Sequence, residues 1–409
     1  MKNKIPRVTL LGNNSGRNLG DAAILSSIME HLSNEIPNVE FYVPTIAPQW
    51  IEKHYGSKYR VHPVNVMPWT LSVRLLGLPT LLCLAKSDVA LICDGIIFGK
   101  KLLNPAFNYL ITLFFLVPLA KLLKCKVACF NCGIGPFPSR LSRWMARYVI
   151  NSCDLVTMRE KDSKHLAEEI GVTRPISLTG DSAFINPVSS RERGCELLRK
   201  VGANYDSAAL LGVNVTAYLD TWLTKKERMA SGSDLIKIIA DGVNTAKKTI
   251  EKESGEVVQP IIFCTQPMDE GVSKRLSELT DAPLVDNTNS LSHDIQAAMR
   301  ECRLFVGMRF HSLILASAVD VPIIGLIYAP KVRGYMKLLN CEHLGLELAT
   351  LSEKNLSEQI VSAWADRRAL LLRQQQVIST LRQGAMQATS LLKTECLNMD
   401  SSVTIEAVG

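Results

Sequence analysis

The chain has 409 residues, of which 47% are hydrophobic, 21% charged and 6% aromatic. That length suits two to three domains, and the apolar fraction excludes a disordered tail or a collagen-like chain. Lys+Arg 46 against Asp+Glu 39 gives a net charge of +7, spread along the chain. This balance suits anionic small molecules or an anionic lipid surface and makes no case for nucleic acid.

The first series of elements alternates strand and helix. Val8–Gly12 reads as a strand, Asp21–Leu32 as a helix, Val39–Val43 and Asp88–Cys93 as strands. Leu102–Leu123 is a long apolar helical region, followed by a strand at Lys126–Cys132. Arg140–Asn151 is a helix, Leu155–Met158 a strand and Ser163–Ile170 a helix. The polar stretch Pro187–Asp206 reads as a linker.

A second series follows. Strands are expected at Ala208–Val215, Val258–Cys264, Leu284–Val285, Arg303–Gly307 and Pro322–Leu326. Helices are expected at Ser233–Glu253, Gly271–Leu279, Ser292–Arg300 and Ser312–Val319. Residues 353–397 have helical period, with Leu356, Ile360, Trp364, Leu371 and Ile378 apolar, and Asn398–Gly409 reads as frayed. Alternating strands and helices imply parallel sheets with crossover helices. The expected fold is therefore α/β, with two Rossmann-like domains facing a cleft. Residues 1–188 form an N-terminal domain and 207–350 a C-terminal one, with C-terminal helices at 353–397 packing back on them. In such sheets ligands sit beyond the carboxyl ends of the strands, so post-strand residues are the candidates.

Eleven cysteines, an odd number lying partly in apolar runs, read as reduced, buried thiols of a cytosolic protein. Behind the basic Met1–Arg7 only Val8–Leu11 are apolar, shorter than a secretory core, and no stretch reaches eighteen apolar residues. The apolar regions Leu71–Leu84 and Tyr109–Ala120 fit burial against the sheets better than contact with a membrane. Cys125, Cys129 and Cys132 have the spacing of a radical iron–sulfur loop, but they fall on a strand. Alternation there would place Cys132 opposite the other two, so structural thiols are the better reading. No acidic cluster argues for a metal.

Five post-strand constellations can carry chemistry. Gly12–Asp21 includes Asn18, Gly20 and Asp21, where glycine admits a ligand and Asp21 can cap the following helix. Its spacing is neither a dinucleotide fingerprint nor a phosphate loop. Gly133-Ile134-Gly135-Pro136 permits close backbone approach or a tight turn. Arg159 can fork onto an anion or pair with Glu160. Asp181 can orient a basic group or cap a turn. The strongest constellation is Gly307-Met308-Arg309-Phe310-His311-Ser312 with Lys331 beyond the next strand. Arg309 and His311, two apart, would face one side of a short extended segment, an anion clamp beside a titratable imidazole.

These motifs, in order from Asn18-Leu19-Gly20-Asp21 through Gly133-Ile134-Gly135-Pro136, Met158-Arg159-Glu160 and Gly180-Asp181-Ser182 to Arg309-Phe310-His311-Ser312 and Tyr328-Ala329-Pro330-Lys331, resemble the polysaccharide pyruvyl transferases. The resemblance runs from about Val8 to Leu339. Phe310 stands where that family commonly has Leu, and Asn131-Cys132 where Gly-Gln is common.

The resemblance implies a fold like that of GT-B glycosyltransferases, with the acceptor on the N-terminal domain and the donor on the C-terminal one. Phosphoenolpyruvate is the implied donor and a sugar diol, free or lipid-linked, the implied acceptor; the product is a pyruvate ketal on a polysaccharide. It implies His311 as general acid, Asp21 as acceptor base or sugar ligand, and Arg309, Arg159, Lys331 and Ser312 around the donor. Asn18, Gly20, Gly133, Gly135 and Asp181 are expected to line the cleft. No cofactor or metal is required. A cytoplasmic enzyme, peripheral at the inner membrane face if its acceptor is lipid-linked, is expected. The alternative is a nucleotide-sugar glycosyltransferase or epimerase of the same fold.

Overall fold

A computed structural model of the chain describes residues 5–66, 77–104, 107–217, 235–288 and 290–399. The chain divides into two compact units. Unit 1 holds residues 1–16, 21–185 and 381–409; unit 2 holds 17–20 and 186–380.

Unit 1 carries, in chain order, β1 (Arg7–Leu11), α1 (Leu19–Glu35), β2 (Glu40–Thr45), α2 (Pro48–Tyr55), β3 (Arg60–Asn65), α3 (Leu78–Lys86) and β4 (Val89–Cys93). It continues with α4 (Leu110–Leu122), β5 (Lys126–Cys132), α5 (Arg140–Ser152), β6 (Leu155–Met158), α6 (Lys161–Glu169) and β7 (Ser177–Leu178). The first two residues of α1, Leu19 and Gly20, count with unit 2. All strand pairs are parallel and the sheet order is β3-β2-β1-β4-β5-β6-β7. The order reverses between β1 and β4, the switch point where such sheets bind ligands. Every residue of β4 is buried, as expected of a parallel strand covered on both faces.

Unit 2 repeats the plan. It carries α7 (Arg191–Lys200), β8 (Ala209–Asn214), α8 (Leu235–Ser254), β9 (Val258–Cys264), α9 (Glu270–Thr280) and β10 (Leu284–Asp286). Then come α10 (Ser292–Met299), β11 (Cys302–Gly307), α11 (Phe310–Ser317), β12 (Ile323–Ile327), α12 (Pro330–Leu338), β13 (Gly345–Glu347), α13 (Glu353–Ala365) and α14 (Arg367–Glu395). The sheet order β10-β9-β8-β11-β12-β13 is again parallel throughout, with its switch point between β8 and β11. The expected α/β class with two doubly wound sheets is what the chain forms.

The departures have local causes. Elements α2, β3 and α3 leave no clear periodicity in the sequence; β3 is a half-exposed outer strand containing Pro63, so its alternation is weak. The long helix expected from Leu102 begins only at Leu110, because the Asn108 carboxamide oxygen accepts the Leu110 N–H at 2.8 Å and its amide donates to the Phe98 and Lys100 carbonyls. The expected linker at 187–206 contains α7, whose Leu197 and Leu198 are buried. Its arginines are drawn to acids of unit 2, Arg191 to Glu301 and Arg193 to Asp294. The C-terminal period breaks into two helices, at Asp366. Leu71–Leu76, the start of Ser233–Glu253 and residues 400–409 lie outside the described residues.

Cys132 does not lie opposite Cys125 and Cys129 as strand alternation predicts. A register shift between Cys129 and Cys132, with Asn131 at φ 51°, breaks the alternation of β5. Cys132 therefore shares one apolar core with Cys125, Cys129 and Cys153. Contacts with Cys132 and Cys153, together with burial, push the Cys129 thiol well above its ordinary value. Asparagine tolerates the left-handed conformation, which accounts for Asn131 at a position where glycine is common in the family it resembles.

Candidate functional site

In unit 1 the loop after β1 and the ends of β4, β5, β6 and β7 carry the polar groups. Asp21 is buried and its carboxylate accepts from the Asn13 side chain at 2.5 Å. The capping expected of Asp21 belongs to Asn18 instead, whose side-chain oxygen accepts the Gly20 N–H at 3.0 Å. Gly12, Asn13, Asn14, Thr45 and Tyr109 line a small recess beyond β1.

Arg159 follows β6 and is buried. Its Nε donates to Glu160 at 3.1 Å and its Nη1 to Asp181 at 2.8 Å, while Asp94 lies 3.9 Å away. Burial works against the charge, but Glu160, Asp181 and Asp94 outweigh it and hold the guanidinium above its ordinary pKa. Glu160, the partner expected for Arg159, and the post-strand Asp181 are therefore both engaged. Asp181 serves twice, since its other oxygen accepts the Ala183 N–H at 2.8 Å and caps the turn Ser182–Ile185.

The glycines nearby make room for side chains. A Cβ on Gly133 would come within 2.5 Å of Arg159 Nη2. Gly135, at φ +83°, would place a Cβ 2.4 Å from Leu166 Cδ2. Thr179-Gly180 and Gly384 of α14 meet backbone to backbone, and Asn131 donates to the Ala385 carbonyl at 3.3 Å.

In unit 2 the groups gather beyond β8, β9, β11 and β12. Arg309 is the N-cap of α11, with extended backbone, and His311 is already helical. The helix starts at Phe310, two residues before the expected Ser312, because Asn214 takes over the turn. Its Oδ1 accepts the Arg309 N–H at 3.0 Å and the Ser312 hydroxyl at 2.8 Å, and its Nδ2 donates to the Phe263 carbonyl at 2.8 Å. Arg309 and His311 therefore do not share one extended face. Ser312 is buried, and its hydroxyl is engaged with Asn214 and the Arg309 carbonyl.

Arg309 is held from behind. Asp269, fully buried, accepts from Arg309 Nε at 2.5 Å and Nη2 at 2.9 Å. The same carboxylate accepts from the Thr216 hydroxyl and the Ala217 N–H, each at 3.0 Å. Two-point pairing fixes the plane of the guanidinium. His311 lies against Gly20, where a Cβ would come within 2.1 Å of its Nδ1. The segment carrying Gly20 is anchored by Leu19 N–H donating to Thr265 at 3.0 Å and Asn287 to the Arg17 carbonyl at 2.7 Å. Lys331, in the first turn of α12, stands 5.6 Å from the centre of the Phe310 ring and 5.8 Å from that of Tyr328.

The structure thus brings Asn18, Gly20, Arg309, His311, Ser312 and Lys331 to the strand ends of unit 2. Asp21, Gly133, Gly135, Arg159 and Asp181 lie at those of unit 1. Asp269, Asn214 and Asp94 were passed over in the sequence; their one legible signal is their place at or just past a strand end. Among the described residues no group of three His, Cys, Asp or Glu is arranged to hold a metal ion, and no helix is long and apolar enough to cross a membrane.

Comparison with solved structures supports the fold alone. The Staphylococcus aureus MnaA–UDP structure matches with a TM-score of 0.60 and 12% identity, over 98% of this chain and 100% of that one. A UDP-GlcNAc 2-epimerase from Neisseria meningitidis bound to UDP-GlcNAc matches at 0.57 and 11%, over 96% and 100%. Anabaena HepE in complex with UDP and glucose matches at 0.56 and 12%, also over 96% and 100%. The chain shares its architecture with GT-B-type enzymes, a fold that hosts several chemistries. The family model that matches is narrower: polysaccharide pyruvyl transferase, over residues 18–330, a span that contains every candidate side chain above except Lys331, so the chain belongs to that family of transferases.

Proposed function

We propose that the protein transfers the pyruvyl group of phosphoenolpyruvate to two hydroxyls of a saccharide, forming a cyclic ketal and releasing phosphate. Family membership implies the saccharide acceptor. The observation that carries the donor assignment is Arg309, clamped by Asp269 at the N-terminus of α11, with His311 in the same first turn. A helix N-terminus and a fixed guanidinium favour an anion, and phosphoenolpyruvate brings both a phosphate and a carboxylate.

His311 is the general acid. It protonates the methylene carbon, which makes the adjoining carbon electrophilic. One acceptor hydroxyl adds there, its proton passing to a base that we assign to Asp21. The C–O bond to phosphate breaks, its electron pair leaving with the phosphate, and the second hydroxyl closes the ring as its proton passes to His311, restoring the acid. Lys331 adds positive charge for the leaving phosphate. Ser312 holds the turn through Asn214 in place of touching the donor, and Arg159 holds the ends of β6 and β7 through Asp181 in place of binding it. The scheme calls for no cofactor or metal. The enzyme works in the cytoplasm, on a free or membrane-borne acceptor in exopolysaccharide synthesis.

The test is phosphate release from phosphoenolpyruvate with a panel of saccharides, for wild type and His311→Ala. Acceptor-dependent release that the substitution abolishes is the expected result. UDP binding with no phosphoenolpyruvate binding and no release would overturn the donor assignment in favour of a nucleotide-sugar enzyme.

A further inference from the structure

Helices α3, α4 and α5 of unit 1 cover one side of the sheet, and their outward faces are unusual. On α4, Leu113, Leu116 and Val117 are buried in the core, as an apolar helix on a sheet should be. Phe115 and Leu122, however, are 54% and 79% exposed, and Leu119 also reaches solvent. On α5, Trp144 is 46% exposed, and Leu141 and Tyr148 are exposed with it. The half-buried Phe114 joins the two helices, its ring centre 5.3 Å from Phe115, 5.1 Å from Trp144 and 4.9 Å from Tyr148. The result is one continuous aromatic and aliphatic surface, not scattered single residues.

The charge on these helices has one sign. The three together contain five Lys or Arg residues and no Asp or Glu. Arg140, Arg143 and Arg147 alternate with Leu141, Trp144 and Tyr148 on the exposed side of α5. Of these, Arg143 pairs with Glu169 at 3.2 Å, and on α4 Lys121 lies 3.8 Å from Asp154. Aromatic and leucine side chains interleaved with arginine suit the headgroup region of an anionic bilayer, where rings enter the acyl boundary and guanidinium groups meet phosphate. A second copy of the chain is a poor partner, because a two-fold contact would set the unbalanced positive charge of these helices against itself.

We infer that the α3–α4–α5 face is a docking surface for an anionic phospholipid membrane. It adds to the proposed function a place for an enzyme whose acceptor is membrane-borne. Its test reads lipid binding and not pyruvyl transfer, so either can fail alone.

The full-length protein is sedimented with vesicles of phosphatidylcholine alone and of phosphatidylcholine with phosphatidylglycerol. Binding is expected to the anionic vesicles only and is expected to weaken with salt. Arg140→Glu with Arg147→Glu should weaken it by at least about 30-fold, the figure for removing two positive charges before the two added negative ones repel the surface. Phe115→Ser with Leu122→Ser should weaken it by at least about tenfold. Leu372→Ser, exposed on α14, is the control and should bind as wild type. All five positions are exposed, so circular dichroism should match wild type. Wild-type protein that stays in solution with anionic vesicles, or paired variants that bind unchanged, would overturn the inference. Self-association without vesicles that the same variants abolish would also overturn it and make the face a subunit interface.

Discussion

The sharpest perturbation is Gly20→Ala. By helix propensity alone the change is favourable by about 1 kcal/mol, since Gly20 lies inside the first turn of α1. The structure reverses that expectation. The added carbon would lie 2.1 Å from His311 Nδ1, 2.4 Å from Cγ and 2.6 Å from Cβ. Ordinary contacts are about 3.5 to 4.0 Å, so the imidazole must move by more than about 1 Å or leave its rotamer. Overpacking of this kind costs about 1–3 kcal/mol, against which the propensity gain stands, so the net stability loss is at most about 2 kcal/mol. The catalytic cost is larger, because displacing a reacting group by about 1 Å costs on the order of a hundredfold. Phosphate-release kinetics should show kcat down about a hundredfold, with a melting temperature only a few degrees lower. In a His311→Ala background the same change should cost no melting temperature, because the two residues act through one contact. Wild-type kcat in Gly20→Ala, or an equal loss of melting temperature in both backgrounds, would refute the reasoning.

Three further outcomes follow from the geometry. Asp269→Asn leaves Arg309 without its charged partner and should cost about 3 kcal/mol in urea unfolding while raising KM for phosphoenolpyruvate about tenfold; an unchanged KM would mean that the pair is structural only. His31 has its pKa lowered below 6.5, chiefly by burial, so its contribution to stability is complete above about 6.5 and lost as pH falls through the depressed folded value. His31→Gln should therefore flatten the acid side of the melting-temperature profile, and parallel profiles would exclude the effect. Ten of the eleven cysteines are buried, and burial pushes Cys125 and Cys396 up to about 12. Iodoacetamide at neutral pH should label the native protein first at Cys195, as mass spectrometry can show, and the rest only on unfolding.

The order of strands and helices was legible because parallel strands buried on both faces leave continuous apolar runs such as Val89–Cys93 and Val258–Cys264. The glycines, arginines and histidine worth attention were legible because ligand chemistry in this architecture follows strand ends. Elements at the sheet edges, β3 and β7, were not, since half-exposed or two-residue strands carry little pattern.

What the sequence by itself determined is the α/β alternation, the two sheets and the membership of Arg309 and His311 in one post-strand turn. Only the tertiary structure decided what each residue meets there. Arg159 is enclosed by acids at 94, 160 and 181, Arg309 is held by Asp269, and Gly20 is small because His311 lies against it. Periodicity reports which face of an element is buried, a local property of spacing. Partners separated by tens or hundreds of residues meet because parallel pairing gathers the carboxyl ends of successive strands along one edge of the sheet, and no local pattern records which side chains that edge sets in contact.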